Sequence, residues 1–381
     1  MPPATPAAAR PKTPPILAAR LAAFRKRLRN DGFDATLVTE AVDIRYLTGF
    51  VGDDSWLLVF ASGQPIILSD SRFTTQIECE SPHSKALIRK GAMADAVKRA
   101  IGSRRLGSLA LPENHVTLGQ RKKIASALRG TGIQLKAFDD RLAEQRATKT
   151  PDEVKLIAKA GRIQQQAYEE TLAYLEPGLT EAQVAAHLEY RMRDLGADGV
   201  SFPSIVAADA NAALPHAIPG PRKLKKGSLV LVDWGAKFKG YCSDMTRVIA
   251  LGKMKPKLRE IYQVCLDAQL LAIDAIAPGQ KLRDVDAVAR KHIEEAGYGE
   301  FFGHGLGHGI GLDIHEEPRL SPLAPKDGVL EPGHVVTVEP GIYLPGIGGV
   351  RIEDDVLVTD GTSGGHQVLT DLPKDLASAI I

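Results

Sequence analysis

The stretch KGSLVLVD at residues 226–233 reappears in related form as PGHVVTVE at residues 332–339. In both stretches a glycine is followed six positions later by a carboxylate, Asp233 after position 227 and Glu339 after position 333. The apolar residues between them are rich in valine and leucine, as expected for buried strands. The stretch therefore predicts a strand that ends in an acid, present twice in the chain.

The segments that precede the two stretches also match. An amphipathic helix is predicted between Pro177-Gly178 and Gly196, and a second between Pro278-Gly279 and Gly297, at the same spacing. Chance similarity of two α/β units is the alternative, but the identical spacing of both features favours an internal repeat. Because one helix and one hairpin cannot bury an apolar face alone, we expect the two copies to pack about a pseudo-twofold axis.

Each copy carries a second acid on the predicted return strand: Asp244 in residues 241–244 and Glu353 in residues 350–353. Pseudo-symmetry would bring Asp233, Asp244, Glu339 and Glu353 to one central point. Unpaired buried carboxylates cost several kcal/mol, so such a cluster requires compensating positive charge. Surface or salt-bridged acids are the alternative for each residue taken alone. The four in register predict two divalent ions, and the oxygen-rich ligand set favours Mn²⁺, with Co²⁺, Zn²⁺ or Fe²⁺ as alternatives.

A glycine-histidine segment, GHGLGHGIGLDIH at residues 303–315, lies between the two pairs of acids. Glycine at every second position from 303 to 311 excludes a stable helix and allows close backbone approach. The spacing does not match a dinucleotide-binding G-x-G-x-x-G loop, and the glycines exclude a helical H-E-x-x-H zinc motif. A flexible loop with incidental histidines is the alternative to a segment that presents imidazoles to a bound group.

Composition narrows the class of protein. The chain has 381 residues, of which 44% are hydrophobic and 25% charged, and its formal net charge is +2. This balance gives no electrostatic case for nucleic acid or a membrane surface as partner. The three cysteines, Cys79, Cys242 and Cys265, are far apart, which predicts a reducing, cytoplasmic location.

We expect an α/β (α+β) chain of two domains. Residues 1–15 are rich in proline and alanine and predict a disordered or processed tail. Alternating strands and helices over residues 16–149 predict a compact N-terminal α/β domain, whose first helix places apolar residues at spacings of three and four from Leu17 to Leu28. Thr150, an expected N-cap before Pro151, marks the start of a catalytic domain over residues 150–381.

These motifs resemble the creatinase/methionine aminopeptidase-like superfamily, the pita-bread fold, and within it the Xaa-Pro peptidases (aminopeptidase P and prolidase). The resemblance covers nearly the whole chain. In order along the chain it rests on Ile44–Phe50, Leu214-Pro215-His216, Val232-Asp233, Ser243–Arg247, Gly303–His315, Val338–Gly341 and Arg351-Ile352-Glu353. It implies a creatinase-like N-terminal domain followed by a pita-bread catalytic domain with an internal pseudo-twofold repeat.

The resemblance also implies roles for single residues. The five metal ligands would be Asp233, Asp244, His308, Glu339 and Glu353. Glu339 would in addition shuttle a proton, while the catalytic or substrate-contacting histidines would be His216, His304 and His315. Arg351 could orient Glu353, since both would share one face of a strand.

Two further positions are candidates for substrate contact. Some longer family members have a tyrosine where this chain has Phe202, so any hydroxyl role is absent there. Arg319, four residues after His315, could bind the free C-terminal carboxylate of a dipeptide, or could form a structural salt bridge instead.

The resemblance predicts a metal-dependent hydrolase that cleaves the Xaa-Pro bond at peptide N-termini, either as an aminopeptidase or as a dipeptidase. Family members are commonly homodimers, which implies the same here. A metal-free creatinase-like C–N hydrolase is one alternative, although all five ligand positions are of metal-binding type. A non-catalytic binding protein on the same fold is the other.

Overall fold

A computed structural model describes residues 12–138, 141–362 and 364–381, and the chain divides into two compact units between Gln145 and Arg146. Most of the predicted tail, residues 1–11, lies outside the described residues. The domain boundary at Thr150 remains a prediction. Among the residues described, none of the helices has the length and apolar character needed to cross a membrane.

The first unit contains a six-stranded sheet. In the sequence, helices alternate with most of its strands. Its helices are α1 (Pro15–Asn30), α2 (Ala41–Thr48), α3 (Thr74–Glu80), α4 (Met93–Ile101) and α5 (Leu118–Ala127), and α6 (Arg141–Ala147) includes the division between the units. Its strands are β1 (Ala35–Val38), β2 (Trp56–Phe60), β3 (Ile66–Ser69), β4 (Lys85–Ile88), β5 (Ser108–Pro112) and β6 (Gln134–Phe138). The sheet order is β4-β3-β2-β1-β5-β6.

The apolar pattern of the first helix is confirmed. Helix α1 buries Leu17, Leu21, Phe24 and Leu28, the residues at spacings of three and four. The sequence pattern does not indicate strands β4 and β6. They are the two edges of the sheet, and most of their residues are exposed or only partly buried, so neither strand has the long buried apolar run that marks a central strand.

The second unit contains the predicted repeat. Its helices are α7 (Pro151–Tyr174), α8 (Glu181–Asp194), α9 (Pro256–Asp274) and α10 (Leu282–Glu295). Its strands in the first half are β7 (Gly199–Val200), β8 (Ile205–Ala208), β9 (Leu229–Trp234), β10 (Ala236–Phe238), β11 (Tyr241–Cys242) and β12 (Met245–Ala250). Those in the second half are β13 (Gly307–Gly309), β14 (Glu316–Leu320), β15 (Val335–Val338), β16 (Gly341–Leu344), β17 (Gly348–Arg351), β18 (Asp354–Gly361) and β19 (Gly364–Val368).

The two halves have the same succession of elements. Antiparallel strands run in the order β8-β9-β12 in the first half and β13-β15-β18 in the second. A short hairpin interrupts each long pair, β10–β11 in one half and β16–β17 in the other. Helices α8 and α10, the second helix of each half, have 14 residues each. The repeat predicted from spacing is therefore present as a repeated helix-and-sheet unit.

The structure corrects one detail of the prediction. Residues 241–244 and 350–353 are not continuous return strands. The inserted hairpins end at Cys242 and Arg351, and Asp244 and Glu353 lie in the breaks before β12 and β18. The breaks arise because the chain must leave each hairpin before it can pair again with the long strand.

The start of helix α7 follows the predicted capping. The Thr150 side chain accepts a hydrogen bond from the Glu153 N–H, and the Glu153 side chain accepts one from the Thr150 N–H. This reciprocal pair satisfies two backbone donors that would otherwise be unpaired, with Pro151 at the first helical position. Thr150 is thus the N-cap that the sequence indicates.

Candidate metal and substrate site

Four carboxylates converge between the two halves of the second unit. Asp233 lies in β9 and Asp244 directly before β12, opposite Glu339 after β15 and Glu353 before β18. Their separate strands come together because the Glu353 N–H donates to the Thr246 carbonyl at 3.2 Å, which links the first half to the second. Asp233, Asp244 and Glu353 are 8% exposed or less, so the cluster is shielded from bulk water.

Burial and mutual repulsion raise the pKa of these acids. Burial is the main cause for Asp244 and Glu353, and the neighbouring carboxylates add to it. Burial likewise raises the pKa of Glu339 to about 7, although the Arg351 guanidinium opposes this change. Removing the charged form from water is costly and like charges add to that cost. The ionised forms of these acids are thus not fully compensated by the protein's own side chains, and a bound cation would favour them.

His308 extends this cluster with one imidazole nitrogen. Its Nδ1 lies 2.9 Å from the Gly309 carbonyl, which assigns the proton to Nδ1. Its Nε2 then faces the acids, 3.4 Å from Glu339 Oε1 and 3.8 Å from Asp244 Oδ2. Burial lowers the pKa of His308 to about 3, so the ring is neutral and its Nε2 lone pair is available near neutral pH.

The donor set fits a divalent cation. Asp244, His308 and Glu353 each offer one ligand atom, and these atoms lie within 4.8 Å of one another. In the described part of the chain, the buried Oδ1 atoms of Asp233 and Asp244 have no hydrogen-bond partner. Buried carboxylate oxygens without a partner are uncommon, and a cation would satisfy both.

Arg351 supports the cluster through Asp233. Its guanidinium donates to Asp233 Oδ2 at 2.6 Å and to Thr246 Oγ1 at 3.0 Å, and Thr246 in turn donates to Glu353 Oε2 at 2.6 Å. The sequence predicts that Arg351 could orient Glu353 from the same face of a strand. The hydrogen bonds instead reach Glu353 through Thr246, because the strand ends at Arg351 and the two residues do not share a pleated face.

His304 is tied into the same network by Tyr343. Arg351 donates to the Tyr343 hydroxyl oxygen at 2.7 Å, so the hydroxyl proton is free to be donated to His304 Nε2, 3.0 Å away. His304 Nδ1 then donates to the Gly305 carbonyl at 2.8 Å. Burial lowers the pKa of His304 to about 4, which agrees with a neutral ring. Both ring nitrogens of His304 are therefore hydrogen-bonded within the protein.

His315 and His216 differ from His304 because both are exposed. The His315 ring lies edge-on to His308, with centroids 4.5 Å apart. His216 lies on the loop between β8 and β9. Burial raises the pKa of Asp233, while Arg351 and then His216 oppose the change, so His216 is within electrostatic reach of the acids. The structure thus places two accessible imidazoles beside the carboxylates.

Arg319 and Phe202 are less closely connected to the acids. Arg319 is exposed on β14, and among the described residues it makes no ion pair. Burial lowers the pKa of His315, and the charge of Arg319 is the next largest cause. Phe202 is half-buried between β7 and β8, and no hydrogen bond or ring contact in the described ranges joins it to the acids.

The glycine-histidine segment runs close to neighbouring backbone at some glycines. A Cβ atom at Gly307 would lie 2.0 Å from the Thr337 carbonyl oxygen, and one at Gly309 would lie 2.1 Å from that of Glu317. At Gly303 nothing lies within 4 Å. The predicted close approach therefore applies to the part of the segment that flanks His308.

Sequence reasoning missed three residues that hold the cluster together. Tyr343 and Thr246 link Arg351 to His304 and Glu353, and Thr337 Oγ1 donates to Glu339 Oε1 at 3.3 Å. The Thr337 hydroxyl oxygen also accepts from the His308 N–H at 3.1 Å. A polar residue within an apolar strand, as in VVTVE at 335–339, was the only available signal for Thr337.

Comparison with known proteins gives consistent results for both parts of the chain. Residues 155–360 match the model of metallopeptidase family M24, and residues 20–148 match the creatinase/prolidase N-terminal domain. A Bacillus subtilis relative, Uncharacterized peptidase YqhT, is 36% identical over 345 residues, which covers 91% of this chain and 96% of the relative.

Solved structures agree with the sequence relatives. An Xaa-Pro dipeptidase from Bacillus anthracis has a TM-score of 0.90 and 36% identity, and the match covers 96% of this chain and 100% of the other. An X-Pro aminopeptidase from Thermotoga maritima has a TM-score of 0.83 and 35% identity, with 93% and 100% of the two chains covered. A prolidase from Pyrococcus horikoshii has a TM-score of 0.86 at 31% identity, with 94% and 99% covered.

Proposed function

The chain belongs to metallopeptidase family M24, and from that premise we propose that it hydrolyses the Xaa-Pro bond at the N-terminus of peptides. The observation that carries this proposal is the convergence of four carboxylates, three of them buried, and the neutral His308 in one cluster with unsatisfied oxygens. Similarity to an Xaa-Pro dipeptidase and to an X-Pro aminopeptidase supports the choice of substrate class.

The enzyme is a metallopeptidase, and the clustered donors define where a divalent metal would bind. We assign Asp233, Asp244, His308, Glu339 and Glu353 as its ligands, and we propose two ions, Mn²⁺ before Co²⁺, Zn²⁺ or Fe²⁺, because oxygen donors outnumber nitrogen donors. When bound, such ions polarise a carbonyl oxygen and lower the pKa of water.

Glu339 would move the proton during hydrolysis. Its Oε1 faces Thr337 and His308, while Oε2 has no hydrogen-bond partner among the described residues. Oε2 would accept the proton of the attacking water and pass it to the leaving proline nitrogen. A carboxylate oxygen that accepts a proton and then donates it can perform both transfers. This delivery matters because the nitrogen of an Xaa-Pro bond has no N–H of its own.

The exposed histidines would contact the substrate. His216 and His315, which are exposed near the acids, would donate to the scissile carbonyl oxygen and to the negative charge that develops there. His304 and Arg351 already form hydrogen bonds within the Arg351–Tyr343–His304 network. They would therefore orient neighbouring groups of the site rather than donate free hydrogen bonds to the substrate. Phe202 would contribute only an apolar ring.

Arg319 would determine whether the enzyme accepts an Xaa-Pro dipeptide. A dipeptide places its free carboxylate next to the proline, and burying this charge requires a cation. Arg319 is exposed, close to His315 and without an ion pair in the residues described, so we propose it as that cation. A homodimer in the cytoplasm, with neither nucleic acid nor membrane as partner, remains our prediction for the assembly.

A peptide assay tests the proposed function. Protein supplied with Mn²⁺ would be given an Xaa-Pro dipeptide, an Xaa-Pro-Xaa tripeptide and matched peptides with alanine in place of proline. We expect turnover of at least one proline peptide and far slower turnover of the alanine peptides. Equal rates on both series would contradict the assignment of proline specificity, and the two proline lengths separate dipeptidase from aminopeptidase activity.

A further inference from the structure

His216 depends on its surroundings for its position. It lies near the tip of the loop between β8 and β9, and the loop exposes Leu214 and Ile218 on either side of it. Ala212 and Ala217 are the nearby buried residues. Beside His216 itself the loop receives one long hydrogen bond, from Arg351 Nη1 to the Pro215 carbonyl at 3.4 Å. This bond and small apolar anchors do not hold both arms of the loop to within the fraction of an ångström that catalysis requires. Other groups must hold the two arms of this loop.

Glu181, the first residue of helix α8, contacts both arms of the loop. Its side chain is fully buried, and its Oε1 accepts from the Ala208 N–H at 2.7 Å and from Asn211 Nδ2 at 2.9 Å. Its Oε2 accepts from the Gly220 N–H at 3.1 Å and from the same Asn211 amide at 3.2 Å. Ala208 and Asn211 precede His216 in the chain, and Gly220 follows it.

The same carboxylate therefore closes the loop at its base. Backbone hydrogen bonds reinforce the outgoing arm, since the Glu181 N–H donates to the Arg222 carbonyl and the Ala182 N–H donates to that of Gly220. A buried carboxylate costs several kcal/mol unless donors surround it, and here all the donors come from the His216 loop. Nothing else in the mechanism accounts for a buried acid at this helix terminus.

The second repeat contains a comparable arrangement. Asp286, buried on α10, accepts from the Leu306 N–H at 2.9 Å and pairs with Arg290. Arg290 donates in turn to the His304 carbonyl at 2.8 Å. The second helix of each half thus uses a buried acid to hold a segment that bears a histidine of the site. The recurrence of this device argues that it is part of how the site is built.

We propose that Glu181 is a positioning residue that fixes His216 beside the carboxylate cluster, an inference that rests on the proposed role of His216 in Xaa-Pro hydrolysis. Glu181 does not touch the substrate. Its carboxylate joins Ala208 and Asn211 on one arm of the loop to Gly220 on the other, and so limits the positions that the imidazole can take.

The test compares two variants of different severity with a matched control. Glu181→Gln keeps the shape but turns one acceptor into a donor that opposes a backbone N–H. Asn211→Ala removes one donor and leaves helix α8 intact. Asp194→Asn, at the exposed end of the same helix, is the control. The readouts are kcat and KM on an Xaa-Pro peptide, Mn²⁺ binding, and hydrogen–deuterium exchange over residues 209–219.

Glu181→Gln should lower kcat about 10- to 100-fold, since a misplacement of about 1 Å can cost 10²-fold. A 10- to 100-fold loss of kcat of this origin leaves the proposed metal ligands in place. We therefore expect KM and Mn²⁺ binding to stay within about threefold of wild type. Asn211→Ala should lower kcat by a smaller factor. The control Asp194→Asn should leave kcat unchanged. In a His216→Ala background the Glu181→Gln change should have little further effect on kcat, because residues that act as a unit are not additive.

Two kinetic results would each overturn the inference: wild-type kcat in Glu181→Gln, or a full additional loss of kcat in the His216→Ala background. Exchange provides a readout independent of turnover. If residues 209–219 exchange no faster in Glu181→Gln than in wild type, the carboxylate does not hold the loop. Failure of the proposed function would be visible instead in the wild-type protein, as absent Xaa-Pro hydrolysis with the exchange effect intact.

Discussion

The two oxygens of Asp233 have different surroundings. Oδ2 accepts from Arg351 at 2.6 Å, whereas Oδ1 is buried without a hydrogen-bond partner in the described ranges. One guanidinium beside four carboxylates leaves most of their charge uncompensated. Asp233 is thus held by Arg351 through one oxygen, while its other oxygen remains available to a cation.

Replacing a single donor at this site should abolish activity without unfolding the protein. We expect His308→Ala and Glu339→Ala to lower kcat by at least 10²-fold, because the first loses a nitrogen ligand and the second a ligand and the proton carrier. Circular dichroism should match wild type. His292→Ala, a half-exposed histidine on α10, is the control. Full activity in either site variant would refute the assignment.

The raised pKa of Glu339 predicts a pH dependence for the metal-free protein. Glu339 releases its proton near pH 4.5 in the unfolded chain but near pH 7 in the folded one. Between these values the folded state binds more protons, so its stability falls as pH rises. Because one pKa unit corresponds to about 1.4 kcal/mol, the free energy of unfolding should fall by up to about 3 kcal/mol from this group.

Denaturant unfolding of EDTA-treated protein at several pH values between 4.5 and 7.5 measures this change. The Glu339→Gln variant lacks the titrating group. It should therefore lose the part of the pH dependence of the unfolding free energy that Glu339 contributes. An identical pH dependence of stability in metal-free wild type and in Glu339→Gln would contradict the prediction. With Mn²⁺ present the same window should show tighter binding as pH rises, because protons and the cation compete for the carboxylate.

Arg319 predicts a difference between substrates of different length. Arg319→Ala should raise KM for an Xaa-Pro dipeptide by about 10-fold or more, since a charge-assisted contact contributes about 1.5–3 kcal/mol. An Xaa-Pro dipeptide amide, which has no carboxylate, should be unaffected. Lys326→Ala, an exposed basic residue outside the strand, is the control. An equal effect on both peptides would assign Arg319 a structural role instead.

At the scale of elements, spacing predicted most of the fold because most elements bury a regular apolar face. Helix α1, the strands of the repeat and the cap at Thr150 all follow from such patterns. Strands β4 and β6 could not be predicted, since each lies at a sheet edge and depends on its neighbour rather than on its own sequence for pairing. The breaks before Asp244 and Glu353 depend on hairpin pairing that spacing alone does not specify.

The glycines of strand β13 predict a contrast between two substitutions. Gly307→Ala should destabilise the second unit by several kcal/mol, because its Cβ would lie 2.0 Å from the Thr337 carbonyl oxygen and separate β13 from β15. Gly303→Ala has open space and should change stability by less than about 1 kcal/mol. Thermal unfolding of the two variants measures the difference. Equal melting temperatures would show that the close approach is not required.

At the scale of the whole molecule, the site is an assembly of residues distant in sequence. The repeat indicated the four acids, since it places them at matched positions, whereas His308 was proposed as a ligand from the family resemblance. Tyr343 could not be distinguished from a core aromatic in a strand, and Glu181 resembled an ordinary acid in the first turn of a helix. Their roles depend on hydrogen bonds to other elements of the same half of the unit, which no local sequence pattern records.

Because the proposed ligands come from both halves of the repeat, a bound metal should stabilise the whole second unit. At a metal concentration of about 10³ times Kd the gain is about 4 kcal/mol, which for a unit of this size corresponds to an increase in Tm on the order of 10 °C. Calorimetric scans with Mn²⁺ and with EDTA measure it. The His308→Ala variant should show a smaller increase, and an identical increase would exclude His308 as a ligand.

The central claim is that this carboxylate cluster binds the metal on which Xaa-Pro hydrolysis depends. The most direct measurement is a titration of EDTA-treated protein with Mn²⁺, in which bound metal and the hydrolysis of an Xaa-Pro peptide are followed together. We predict no turnover without metal and a rate that reaches its maximum at two bound ions per chain. Full turnover by the metal-free protein, or two bound ions with no Xaa-Pro hydrolysis, would contradict it.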